Sequence, residues 1–249
     1  MRWAAALGVA CLAGILSGCA LLKPTATPIA SFTYEAGDPD ADGCAILLPG
    51  RGGHPDDFAR AGMPRALAES GFAGQVIGVD AHLGYYIRRT VIARVRADVV
   101  APRADRQVWI VGVSLGGLGA LLYEKTHPGE VAGIVLLAPY LGDDDVIAEI
   151  RAAGGLATWD PGELDPGDFQ RELWRWIKQG GLDRVPVFIG WGEDDRFAAA
   201  NAMLGTAVPH ARTFVAPGGH TWPVWKTLFA RVLAAGAFMP PSSPSAPDS

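Results

Sequence analysis

Apolar residues in this chain gather into short unbroken runs: "CAILLP" (44–49), "QVIGVD" (75–80), "QVWIVGV" (107–113), "VAGIVLLAP" (131–139), "VPVFIGW" (185–191) and "RTFVAP" (212–217). None alternates apolar with polar, so each predicts a strand covered on both faces. Helix-like segments separate most of them: "DDFARAGMPRALAES", "LGGLGALLYEKTH", "RFAAANAMLGTA" and "WPVWKTLFARVLAA". This rhythm predicts an α/β fold, a mostly parallel sheet with helices on both faces. One interval breaks it. Residues 141–184, including "DPGELDPGDFQRELWRWIKQGG", exceed an ordinary connection, and Trp159, Trp174 and Trp176 give them an apolar face. They read equally as a lid or as an extra surface helix anchored by its tryptophans.

A chain of 249 residues, 49% hydrophobic and 19% charged, suits one globular domain rather than a disordered polymer. Its net charge of −5, with arginines only scattered between Arg88 and Arg106, argues against a nucleic-acid surface. That arginine-bearing stretch reads as the solvated face of a helix.

The two ends differ from the middle. "MRWAAALGVACLAGILSGCA" has one early positive charge and an apolar run too short to span a bilayer, as in a secretory signal. It closes on "LSGC", Leu16 to Cys19, which resembles the bacterial lipobox. That resemblance implies a signal peptide over 1–18, a diacylglycerol on Cys19, and attachment to a membrane of the cell envelope, facing the periplasm or exterior. The expected organisation continues with a tether over 19–30, the folded domain over 31–236, and a Pro/Ser-rich disordered tail over 237–249. Of Cys11, Cys19 and Cys44, only Cys44 stays free in such a mature chain, so no internal disulfide is expected and a buried structural thiol is. No cysteine or histidine cluster has metal-ligand spacing.

Gly112-Val113-Ser114-Leu115-Gly116 has the Gly-x-Ser-x-Gly form of a nucleophile elbow, placed between an apolar strand and a helical pattern. A serine hydroxyl needs a base within hydrogen-bond reach. Among His54, His82, His127, His210 and His220, the last lies just after the final strand and before the final helix, where it can reach back over strand ends. His54 and His82 follow strands at the same edge and could line the pocket; His127 reads as a helix C-terminal residue and His210 as a surface turn. The base needs an acid, and "GWGEDDRF" offers Glu193, Asp194 and Asp195. Asp195 is preferred, with Asp194 shaping the turn or capping the helix that begins near Arg196; Asp143 to Asp145 read as a loop start or helix N-cap. Leu115 is placed to offer a backbone N–H to an oxyanion, and Arg51 in "LLPGRGGH" a second.

With "PGRGG", "GVSLGG", "GEDD" and "GGH" in that order, the chain resembles the α/β-hydrolase superfamily from about Cys44 to Ala235. The resemblance implies an insert after the sixth strand, here 141–184, and a triad of Ser114, His220 and Asp195 needing no cofactor. "GGHTWPVW" is similar to the histidine region of serine esterases. The chain has Pro49-Gly50 where many members have His-Gly in the oxyanion loop. The implied activity is cleavage of small-molecule carboxylic esters through an acyl-enzyme. Alternatives are a thioesterase or peptidase with the same triad, or a non-catalytic lipoprotein that keeps the scaffold for binding.

Overall fold

The structure is a computed structural model that describes residues 23–36, 38 and 40–239. The six apolar runs form strands β2 (Gly43–Leu48), β3 (Gly74–Val79), β4 (Gln107–Val113), β5 (Gly133–Leu137), β6 (Val187–Gly192) and β7 (Arg212–Ala216). A further strand, β1 (Ser31–Thr33), precedes them, and the sheet order is β1-β3-β2-β4-β5-β6-β7. All neighbours pair parallel except β1, which runs antiparallel to β3 at the edge. β1 carries no apolar run because all three of its residues are exposed; only its backbone pairing makes it a strand. β7, at the opposite edge, is mostly exposed as well, so the expectation of cover on both faces fails there.

Every residue of β5 and β6 is buried, as is β4 from Val108 onward, so helices cover both faces of the central sheet. The helices are α1 (Pro55–Arg60), α2 (Met63–Glu69), α3 (Leu83–Ile87), α4 (Val91–Val95), α5 (Leu115–Thr126), α6 (Asp144–Ala152), α7 (Phe169–Lys178), α8 (Ala198–Ala207) and α9 (Trp222–Ala234). α5 packs on β2, β4, β5 and α4, whereas α9 packs on β5, β6, β7 and α2. The single helix expected from "DDFARAGMPRALAES" is two, α1 and α2. Gly62, at φ 73°, turns the chain left-handed between them, and Pro64 opens the second. α4 continues into a π-turn over Arg96–Val100, where Arg96 faces out and pairs with Glu130 at 2.8 Å.

Three expected boundaries are corrected. Counted along the chain, 141–184 follows the fifth strand, β5, rather than a sixth, because only β1 is added ahead of the apolar runs. The described part of the 19–30 tether lies against the body. Lys23 Nζ meets Asp80 at 2.5 Å, the Ala26 N–H donates to Tyr85 Oη at 2.9 Å, the Ile29 N–H donates to Asp98 at 2.8 Å, and Ile29 is buried. The domain also runs past 236: Ala237 and Phe238 are buried, and the Phe238 ring lies tilted against Trp109 with centroids at 4.8 Å and meets Phe72 edge-on at 5.6 Å. Signal peptide, Cys19 and residues 240–249 lie outside the described residues. No helix among the described residues is long and apolar enough to cross a membrane.

The insert is held down by its tryptophans. Trp159 and Trp174 are buried; Trp174 Nε1 donates to the Leu141 carbonyl at 2.8 Å and Trp159 Nε1 to Glu149 at 2.7 Å. Arg171 reaches the same Glu149 carboxylate from α7, tying α6 to α7. Cys44 is wholly buried, and desolvation pushes its thiol up to about 11, which suits an inert packing role.

Phe238→Ala is expected to cost about 3 kcal/mol in denaturant unfolding, as for a large aromatic removed from a core. An unchanged midpoint would place residue 238 outside the cooperative unit. Hydrogen bonds from Arg171 first, and then Trp159, hold the Glu149 carboxyl below the ordinary glutamate range. A carboxylate depressed on folding contributes stability above its unfolded value and loses it as pH falls through the folded one. The stability gap between wild type and Glu149→Gln should therefore be open at neutral pH and close on acidification below the ordinary glutamate range.

Candidate active site

The site starts where β4 ends. Ser114 has φ 52° and ψ −114°, a conformation that a non-glycine residue holds only when its surroundings impose it. The surroundings are the two flanking glycines. A Cβ on Gly112 would overlap the Gly116 carbonyl, and one on Gly116 would overlap the Leu48 carbonyl of β2. Helix and strands therefore approach closely enough to force the turn. Backbone hydrogen bonds pin it: the Ser114 N–H donates to Leu137 O at 2.9 Å, while its carbonyl accepts from Gly117 at 2.9 Å and Tyr140 at 3.0 Å.

His220 arrives on the loop between β7 and α9. Its Nε2 lies 2.9 Å from Ser114 Oγ, and its Nδ1 lies 2.8 Å from Asp195 Oδ2. An ionised carboxylate only accepts, so Nδ1 carries the proton and Nε2 is left to accept from the serine hydroxyl. The Asp195 side chain is wholly buried, and its other oxygen accepts the Phe197 N–H at 2.8 Å. Both oxygens are thus used, which fixes the carboxylate. Two backbone bonds join the loops that carry Asp195 and His220, from Glu193 N to Ala216 O at 2.8 Å and from Asp194 N to Gly218 O at 3.0 Å. Phe197 and Trp225 meet the imidazole edge-on, with centroids at 5.2 and 4.8 Å, and hold its plane.

The remaining candidates are used elsewhere. Asp195, not Asp194, shapes its own turn through Phe197, whereas Glu193 and Asp194 are exposed. Asp143 sits at the N-cap position of α6, but its carboxylate accepts from Tyr140 and Gln170 rather than from the helix backbone. His54 and His82 accept the backbone N–H groups of Asp56 and Gly84, capping α1 and α3. Burial lowers the His82 pKa below the ordinary histidine value. His127 caps the end of α5, and His210 Nε2 contacts the Val185 carbonyl at 3.2 Å. Sequence reasoning missed Phe197 and Trp225 as supports of the ring; the only signal was aromatic residues close to the acid and the histidine.

Leu115 opens α5, so its N–H has no acceptor within the helix and is free for a ligand oxygen. The Pro49-Gly50-Arg51 turn lies on the other side: a Cβ on Gly50 would stand 3.2 Å from Ser114 Cβ. Arg51, Ser114 and Leu115 border one cavity of about 1560 Å³.

A mostly parallel sheet with helices on both faces and a strained serine at a strand-to-helix turn defines an α/β-hydrolase. Solved structures agree on the fold. It is similar to S-formylglutathione hydrolase of Staphylococcus aureus, with TM-score 0.56, 14% identity, and coverage of 83% of this chain and 95% of that one. It is also similar to a carboxylesterase of Nitrososphaera gargenis (0.59, 16%, 85% and 96%) and to the thioesterase domain of the curacin biosynthetic pathway (0.58, 14%, 83% and 99%). No curated protein sequence matches. The Esterase family matches residues 78–235, and the chain belongs to that family. Membership supports ester hydrolysis as its activity.

Gly116→Ala should destabilise the fold by about 1–3 kcal/mol, the range for an overpacked interior. Differential scanning calorimetry should register the loss. An unaltered melting temperature would mean that β2 and α5 are not in close contact.

Proposed function

We propose that the protein is a serine esterase in which Ser114 is the nucleophile, His220 the general base and Asp195 the acid that orients it. The observation carrying this reading is the unbroken chain of contacts, 2.9 Å from serine to imidazole and 2.8 Å from imidazole to carboxylate. Ser114 Oγ attacks the ester carbonyl carbon as its proton passes to His220 Nε2, and the negative charge moves to the carbonyl oxygen. The backbone N–H groups of Leu115 and Arg51 receive that oxygen, and losing one such donor typically costs about 3 kcal/mol of barrier. Collapse of the tetrahedral adduct breaks the bond to the alcohol, which takes the proton from His220. Water then enters, His220 removes its proton, and the acid leaves, regenerating the Ser114 hydroxyl. Asp195 stays ionised throughout and steadies the imidazolium.

We further propose that residues 1–18 are a signal peptide and that Cys19 is lipidated, which tethers the enzyme to an envelope membrane facing the periplasm or exterior. "LSGC" after a short apolar run supports this.

A fluorophosphonate probe and p-nitrophenyl acetate test the chemistry together. Wild type should be labelled at Ser114 and turn the ester over; Ser114→Ala should do neither while melting normally. Asp195→Asn should lower kcat by about 10⁴-fold, as expected when the imidazole loses its orienting carboxylate. Turnover retained in Ser114→Ala would refute the assignment. A panel of esters, thioesters and amides decides between ester hydrolysis and the thioesterase or peptidase reading. For the anchor, mass spectrometry of the detergent-extracted protein should find an acylated N-terminal Cys19, and Cys19→Ser should release the protein into the aqueous phase. An unmodified, water-soluble wild type would refute it.

A further inference from the structure

We propose that the cavity beside the nucleophile helix is a slot for a medium-chain acyl group, so that the preferred substrates are octanoyl to decanoyl esters. This rests on the serine-esterase reading above. The cavity borders Ser114 and then follows α5, where Leu115, Leu118 and Leu122 line it. Spacings of three and four residues put these side chains on one face of a helix. The slot therefore extends along the helix axis rather than into the sheet. From Ser114 to Leu122 the helix rises about 12 Å, which matches an extended chain of eight to ten carbons.

Its opposite wall is apolar too, with Leu83, Ile87, Val91 and Ile92 from α3 and α4, and Phe169 from α7 of the insert. Ile87 is 59% exposed and Phe169 39% exposed, so two of the large apolar residues most open to water in the described chain face this one slot. Uncovered apolar surface collected in a concave site beside a nucleophile is what an apolar substrate would bury. Much of the charge in the lining is already committed. Arg94 pairs with Asp98, Arg96 with Glu130, Glu172 with Lys125, and Asp143 with Tyr140 and Gln170. Arg51, Arg89, Asp144 and Arg196 are exposed.

Beyond Leu122 the character changes: Thr126, His127 and Arg96 line the far end. A chain longer than the apolar stretch must meet those polar groups, so the slot sets an upper length as well as a lower one. The acyl group, rather than the alcohol, is assigned to it on geometry. The alcohol leaves toward His220, which gives it a proton, whereas among the described residues the slot is lined by Ser114 and Leu115 and not by the His220 ring.

The test is kcat/KM of the purified full-length protein on p-nitrophenyl acetate, butyrate, octanoate, decanoate and palmitate, beside a parallel series of acetate esters of lengthening alcohols. Values should rise at least tenfold from acetate to decanoate, fall at palmitate, and stay nearly flat along the alcohol series. Leu122→Trp, which fills the slot, should lower the decanoate-to-acetate ratio at least fivefold. Ile87→Asp, at an exposed position that does not threaten folding, should lower it at least threefold. Acetate turnover with a flat acyl series, or a gain only along the alcohol series, would overturn the slot while leaving the esterase reading intact. Absence of turnover on every ester, with no fluorophosphonate label on Ser114, would remove the esterase reading and the slot with it.

Discussion

The structure depends on how closely α5 approaches β2 and β4 at the elbow. Gly112 and Gly116 leave no room for a Cβ, and that closeness holds Ser114 at φ 52° with its hydroxyl directed off the end of the sheet. A relaxed turn would let the serine fall into ordinary helical geometry and lose the 2.9 Å contact with His220. The strain, of order 1–3 kcal/mol for such a residue, is offset by the packing of a largely buried helix and by four backbone hydrogen bonds at Ser114.

The same logic governs the partners. His220 and Asp195 come from different loops, yet those loops are stitched by backbone hydrogen bonds before any side chain is considered. The carboxylate is buried with both oxygens engaged, and the imidazole is gripped edge-on by Phe197 and Trp225. In the proposed reaction, positioning of this kind would remove the entropic cost of assembling the three groups. Around them, the insert between β5 and β6 gives one wall of the cavity through Phe169, while Trp159 and Trp174 anchor it to the body. Lid and packed surface helix were opposed readings of one segment; it packs through its tryptophans and borders the site with its other face.

How much was legible in the chain varied with the kind of signal. Strands covered on both faces announce themselves as apolar runs, which is why β2 to β6 were readable, whereas β1, exposed throughout, has a backbone role that leaves no mark on composition. One helical pattern hid the break at Gly62, because α1 and α2 keep a compatible apolar spacing on either side of it. The tether over 19–30 and the Pro/Ser-rich tail read as free ends, but Ile29 and Phe238 each insert one large side chain into the core, and single anchors do not alter a compositional reading. Ser114 could be found because steric demands write glycines around it. The choice of Asp195 over its neighbours was harder, since adjacent acidic residues differ only in which way the turn points them. The aromatic clamp on the imidazole could not be derived, because it depends on side chains from two elements meeting in space.

The hydrogen-bonded chain through His220 is the centre of the account, and proton NMR probes it directly. A far-downfield resonance from the His220 Nδ1 proton is expected in the wild type, retained in Ser114→Ala and lost in Asp195→Ala. A folded wild type lacking that resonance, or one that keeps it after Asp195 is removed, would contradict the account.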